Sequence, residues 1–482
     1  MRIIYNVYFH PLSRFPGPPG AASTKLWLAY MEVWKGVDLT ELRFQLHDKY
    51  GEIIRIAPDE LHFSNPSVYN EIYNLNNKWD KDHRLYRATD LDSFFGSPRY
   101  PEVELRRAVF NPLFSKSAIL KTQHLFYERL DVFCDALRAQ NLAGKSSNLS
   151  LGFKCFSADA TSLYCFGACF DQTLLRDFNA PLLVAMEQSL PSFSLRKHFN
   201  VIVWVVRNFS DHPLMSIFPS TIRSLCLLYK ILDSQAKKII CDPQQLEKAP
   251  PSNILPKLLN HEVTNRRPVI TTKHILRESQ VLFCAWSSHV IGTALMTGTY
   301  HILHNQEMRE RLLGELLTVW PDLNQPPRYD TLERLPYLTA VVKETLRLTP
   351  TTPVGLARVV PCEGATISGV RIPGGVRVYQ SSLFVHLSED IFVCASDFMP
   401  ERWLRPDAAK LNRFLVAFSD GPRSCQGINL AYCEMYLAFA HLFRRFDFRI
   451  DEKRPASLAW KEHFLPYYIG EHLHVFCSPR PS

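Results

Sequence analysis

The sequence predicts a mainly α protein with a small β-rich lobe, folded as a single domain. Met308-Arg-Glu-Arg-Leu-Leu-Gly-Glu-Leu-Leu and Leu335-Pro-Tyr-Leu-Thr-Ala-Val-Val-Lys-Glu344-Thr-Leu-Arg347 carry apolar residues at helical spacing. Two stretches carry strand and turn signals instead. Lys49-Tyr-Gly51-Glu-Ile-Ile-Arg-Ile-Ala-Pro58 reads as a turn feeding a strand, and Ile367-Ser-Gly-Val-Arg-Ile-Pro-Gly-Gly-Val-Arg-Val378 as a hairpin. Finally, the 482 residues show no linker or internal repeat at which to divide the chain, although length alone would suit about three domains.

The segment most dense in chemistry is Phe418-Ser-Asp-Gly421-Pro-Arg423-Ser-Cys425-Gln-Gly427. It runs directly into Ile428, Leu430, Ala431, Met435, Leu437, Ala438, Leu442 and Phe443, which recur at helical spacing. A free thiol titrates near about 8.5, so a cysteine that binds metal as an anion needs N–H groups and a helix N-terminus beside it. The residues after Cys425 supply both. Gly421 and Gly427 let the loop turn tightly and lie flat. Phe418 can shield the sulfur from water. The alternative for any free thiol is a buried structural role.

The pattern Phe-x-x-Gly-x-Arg-x-Cys-x-Gly resembles the haem-binding loop of the cytochrome P-450 superfamily at every fixed position. The resemblance implies a haem b cofactor with Cys425 as its thiolate ligand, Arg423 as a propionate partner, and Phe418 and Gly427 against the cofactor. A thiolate donates electron density to iron and favours O–O cleavage. Glu344 and Arg347, three apart on a helix, can pair. Phe398-Met-Pro400-Glu-Arg402-Trp403 resembles the family segment that brings a second arginine to that carboxylate. Glu344, Arg347 and Arg402 are therefore expected to form a buried structural cluster and to take no part in the chemistry.

Two further arginines resemble propionate partners, Arg358 in Gly355-Leu-Ala-Arg358 and Arg107 in Leu105-Arg-Arg107-Ala-Val-Phe. Arginine suits that task because its planar fork grips carboxylates. Val103 stands where the family often has His or Trp. Arg106 is almost as good a candidate as Arg107, and an exposed basic pair is the other reading.

The chain departs from the family along Glu278 to Thr293, where an acid followed by threonine usually guides protons to bound oxygen. Neither is present. The register leaves either Ser288-His289 or His289-Val290 at that place. Three expectations follow: Ser287, Ser288 or His289 anchors a proton relay; the substrate supplies a hydroxyl; or oxygen is not activated in the usual way. Gln426 replaces an apolar residue beside the ligand and is expected to hydrogen-bond near the sulfur. Trp286, Val290, Pro353, Val354 and Phe464 are candidate pocket residues, although core packing explains each.

Bulk properties agree with a globular body: 46% hydrophobic and 21% charged residues, with 33 prolines mostly in connections. The 12 cysteines lack paired metal-ligand spacing, which suits a reducing compartment, and Cys165 and Cys169 read as core residues on one helix. A net charge of +8 without a basic tract excludes nucleic acid and suits an acidic electron donor or anionic lipid.

Residues 1–22 resemble the proline-rich hinge that follows the membrane anchor of microsomal fungal members, so a missing or truncated anchor is expected before it, with the catalytic domain at 23–482. Phe199-Asn-Val-Ile-Val-Trp-Val-Val206 offers either a membrane-facing patch or a core helix. The loop and hinge wording is similar to fungal secondary-metabolite members such as trichodiene oxygenase. The resemblance implies a monooxygenase for an apolar terpenoid or related metabolite, at the cytosolic face of the endoplasmic reticulum membrane. It would be fed by NADPH through a separate reductase, with a b-type cytochrome as a further donor. The alternatives are a haem-thiolate isomerase or dehydratase needing no reductase, and a haem-binding protein without catalysis.

Overall fold

The computed structural model describes residues 1–89, 93–210, 212–240, 274, 277–278 and 288–480. Its principal helices are α1 (Leu39–Tyr50), α2 (Tyr100–Phe110), α3 (Lys116–Leu142), α4 (Leu149–Phe166), α5 (Pro181–Ser189), α6 (Asn200–Phe209), α7 (Ser220–Ile240), α8 (Ser288–Leu303), α9 (Gln306–Val319), α10 (Pro336–Leu348) and α11 (Ile428–Arg445). Polar caps set several starts. Asp38 accepts from Glu41 N ahead of α1, and Asn305 from Met308 N ahead of α9. Asn148, which stands in a glycosylation sequon, is the cap of α4.

The α4 helix ends at Gly167, whose φ of 69° reverses the chain. Cys165 is buried on that helix, whereas Cys169 lies beyond its end and takes a hydrogen bond from Arg129. The expectation of two cysteines on one helix is corrected accordingly.

One large apolar core joins most helices, and α8 and α11 run through it with most of their residues buried. Close approach is possible where side chains are small. A Cβ on Gly292 of α8 would meet the backbone of Lys154 on α4 at 2.8 Å, so glycine lets these two helices touch.

The β lobe is a five-stranded sheet of β1 (Ile53–Ala57), β2 (Glu60–Phe63), β3 (Asp80–Lys81), β4 (Arg358–Val359) and β5 (Arg377–Tyr379), in the order β1-β2-β5-β4-β3. Only the β2–β5 pair is parallel. The predicted 367–378 hairpin divides in two. Ala365–Ile367 pairs with Val370–Ile372 across a Ser368-Gly369 turn, and Pro373-Gly374-Gly375 then redirects the chain so that Arg377–Tyr379 joins the main sheet. Proline and two glycines break the strand where alternation alone suggested continuity. Residues 1–22 lie against the lobe, with Leu12 buried and Arg55 N donating to Pro16 O.

Candidate functional site

Cys425 is held by its backbone before its side chain is considered. Its N–H donates to Phe418 O at 2.8 Å, closing the loop on itself. Gly421 has φ 74°, and a Cβ there would meet Tyr73 O at 2.4 Å, so only glycine fits. The loop delivers the chain into α11 at Ile428. The Cys425 side chain opens into a slot that lies well inside the molecule. Burial pushes the thiol above the usual cysteine range, while a hydrogen bond from the Gly427 backbone and the Arg107 charge pull it down. These two opposing groups are what a bound cation would exploit to hold the thiolate.

The slot has a sided chemistry. Val290, Ile291 and Ala294 of α8 form one wall, Leu430, Ala431 and Met435 of α11 another, with Phe94, Phe95 and Phe418 nearby. Its polar edge carries cations. Arg107 donates to Ser424 O at 2.7 Å and lines the slot; Arg106 instead faces Glu278 and His274, which decides between the two neighbours. Arg423 donates to Ser97 O and Pro98 O, yet its Nε is buried without a partner among the described residues. Arg358 is buried, donates to Leu356 O, and leaves Nη2 likewise unpartnered.

A fourth cation was not anticipated. Lys81 lines the slot, donates to Phe95 O at 2.6 Å, and sits directly across the β3–β4 pair from Arg358. Burial, then Arg423, Arg358 and Arg107, pushes its ammonium well below the ordinary lysine range. Like charges facing each other across a strand pair are destabilising. Four cations and orphaned guanidinium nitrogens beside an apolar slot fit a flat apolar group bearing carboxylates. Haem is such a group: its propionates would lie among Lys81, Arg107, Arg358 and Arg423, with Cys425 reaching the iron. In sequence, Lys81 stands in the polar run Asn77-Lys-Trp-Asp-Lys81-Asp and gave no signal until the sheet paired it with Arg358.

Glu344, Arg347 and Arg402 form a fully enclosed cluster. Arg347 donates to both Glu344 oxygens at 2.9 and 2.8 Å, Arg402 Nε donates at 3.0 Å, and Trp403 Nε1 and Met399 N complete the carboxylate. The remaining guanidinium protons reach the carbonyls of His386, Ala395, Asp397, Val393 and Cys394. None of these charges reaches the slot.

The expected relay residues are placed elsewhere. His289 is buried with Nε2 3.1 Å from Pro466 O; burial and Lys154 push its imidazole down to about 3. It is neutral and does not line the slot. Ser288 is buried at the start of α8 and does not line it either, and Ser287 and Trp286 lie outside the described residues. Val290, Ile291 and Ala294 take the slot-facing positions, so the described part of α8 presents neither an acid nor a hydroxyl to the slot. Gln426 lines the slot beside Cys425, and its amide Nε2 donates to Asn111 Oδ1 at 2.6 Å. Of the candidate pocket residues Val290 lines the slot, whereas Phe464 packs on Tyr86, Phe95 and Phe193. A second, open cleft between Gln140, Lys145, Arg449, Arg454 and His474 mixes both signs of charge and shares no residue with the slot.

Comparison with known proteins gives a consistent result. The family model described as Cytochrome P450 matches residues 18–465. Cytochrome P450 monooxygenase flvC of Aspergillus flavus is 34% identical, over 98% of this chain and 93% of that protein. Cytochrome P450 monooxygenase sdnE of Sordaria araneosa is 31% identical over 96% and 92%, and macH of Penicillium terrestre 31% over 98% and 93%.

Proposed function

Since the chain belongs to the cytochrome P450 family and is a haem-dependent monooxygenase, we propose that it inserts one oxygen atom from O2 into an apolar terpenoid or related fungal secondary metabolite. The observation that carries the reading is a cysteine side chain opening into an apolar slot lined at its edge by Lys81, Arg107 and Arg423, with Arg358 paired to Lys81 in the adjoining sheet. When bound, haem supplies reductive O2 activation with electrons from NADPH through a separate reductase. The protein's own part is division of labour around the slot. Cys425 supplies the anionic ligand, and Arg107, Arg358, Arg423 and Lys81 bind carboxylates and fix the orientation. Val290, Ile291, Ala294, Phe94 and Phe95 exclude water and seat an apolar substrate, while the hydroxyls of Thr351 and Thr352 on the same lining give it a polar foothold.

Reconstituted protein incubated with NADPH, reductase, 18O-labelled O2 and a panel of sesquiterpene hydrocarbons is expected to yield a product with one labelled atom. Product formed without NADPH or reductase would instead indicate rearrangement or dehydration.

The finer placement is at a membrane surface on the cytosolic side of the endoplasmic reticulum. No helix among the described residues is long and apolar enough to cross a membrane. Support comes from α6, which turns Val203 and Val206 inward and leaves Val201, Trp204 and Phe209 exposed, an apolar outer face of the kind an interfacial helix presents. Exposed Trp34 meets Phe199 edge-on at 5.8 Å, extending the apolar surface toward Tyr30 and Leu26. Interfacial binding scales with such area. Val201→Ser with Trp204→Ser is expected to weaken flotation with phosphatidylcholine–phosphatidylserine vesicles by roughly tenfold; undiminished flotation removes α6 from the contact.

A further inference from the structure

The chain has no acidic residue from Ser279 to Gln306, and the part of α8 that faces the slot is apolar. An acid does lie close by on another helix. Glu434 of α11 is 0% exposed and meets no cation among the described residues. Ser157 Oγ donates to its Oε2 at 2.7 Å and Thr161 Oγ1 lies 3.1 Å from its Oε1, both from α4. Thr161 itself lines the slot, opposite the apolar face of α8. A buried carboxyl with only hydroxyl partners is stabilised as the neutral acid, and burial pushes Glu434 up to about 8 against the pull of Ser157 and Thr161. The other titratable groups that feel its charge are Cys165 on α4 and Cys433 on its own helix, both buried thiols raised further by it.

We propose that Glu434 stores a proton and passes it through the Thr161 hydroxyl into the slot, as the acid that α8 lacks. The proposal rests on the monooxygenase reading of the same slot. When the carboxyl carries the proton, the Glu434–Thr161 contact runs from acid to hydroxyl and leaves the Thr161 proton free to face the slot. The Glu434 O–H bond then breaks as its proton moves onto Thr161 Oγ1, and the original Thr161 proton leaves to a water in the slot. Glu434 remains as carboxylate until solvent returns a proton, and no electrons change hands. Glu434 is in this sense a positioned proton store, and Thr161 is the group that touches the slot.

Two readouts on the full hemin-loaded chain test this. Infrared difference spectra are expected to contain a protonated-carboxyl C=O band at mildly acidic pH. The band should be absent from Glu434→Gln, shifted in Thr161→Val, and lost on titration near about 8. With NADPH and reductase but no added substrate, the share of electrons recovered as water is expected to fall roughly tenfold in Glu434→Gln and Thr161→Val, and to be kept in Thr161→Ser, which restores the hydroxyl. Absence of the carboxyl band from wild type, or an unchanged water share in both variants, overturns the relay. The reduced CO-bound spectrum of the same wild-type sample separates the two readings. Without a thiolate-type band the assignment of Cys425 fails; with that band present and both readouts unchanged, the relay alone fails.

Discussion

Replacing Cys425 with serine is expected to abolish the thiolate-type band of the reduced CO-bound protein and to lower oxygenation by at least about two orders of magnitude, while leaving the fold intact. The fold survives because the loop is fixed by backbone: Cys425 N to Phe418 O, and the left-handed turn at Gly421. Serine preserves both and nearly preserves volume. The chemistry does not survive, because a hydroxyl is far harder to ionise than a thiol and cannot push electron density toward bound oxygen. An interaction needed chiefly in the transition state appears in turnover and not in substrate affinity. Circular dichroism should match wild type. A thiolate-type band persisting in the variant would show that another cysteine is the ligand, and no other described cysteine lines the slot.

The largest expected effect on stability lies behind the loop. Glu344→Gln keeps the shape of the carboxylate but removes the charge that two enclosed guanidinium groups share. Arg347 and Arg402 are almost wholly buried, and neither has another carboxylate partner among the described residues. Stranding buried charge in this way costs about 3–5 kcal/mol, a large part of the about 5–15 kcal/mol by which proteins of this kind are stable. Denaturant unfolding is expected to show that loss, together with poor haem retention, since Met399 and the Pro400–Leu404 turn also hang on Glu344. Stability within about 1 kcal/mol of wild type would mean that the carbonyl partners alone hold the two arginines.

These two sites were readable because their determinants are local. The Cys425 loop is a short run in which glycine, arginine and cysteine each have one structural reason to be where they are. Glu344 and Arg347 share a helix turn, and the segment that brings Arg402 has a wording of its own. Helix phase was not readable in the same way. With neither acid nor threonine as a marker, every residue of Ser288-His289-Val290-Ile291 suits a mostly buried helix, and only packing against α4 decides which side chains see the slot. Lys81 is an extreme case, since its partner Arg358 lies far along the chain and they meet only by strand pairing. Glu434 did leave a trace. A lone acid among Ala431, Met435, Leu437 and Ala438 breaks the apolar face of its helix, and an ionisable group on such a face calls for an explanation.

The meeting of Lys81 with Arg358 has a consequence for the empty protein. A polypeptide that gathers four positive groups around one cleft repels itself there until a dicarboxylate arrives. Binding the porphyrin would relieve that repulsion and stabilise the native state by mass action, so the hemin-loaded protein is expected to resist denaturant better than the empty one.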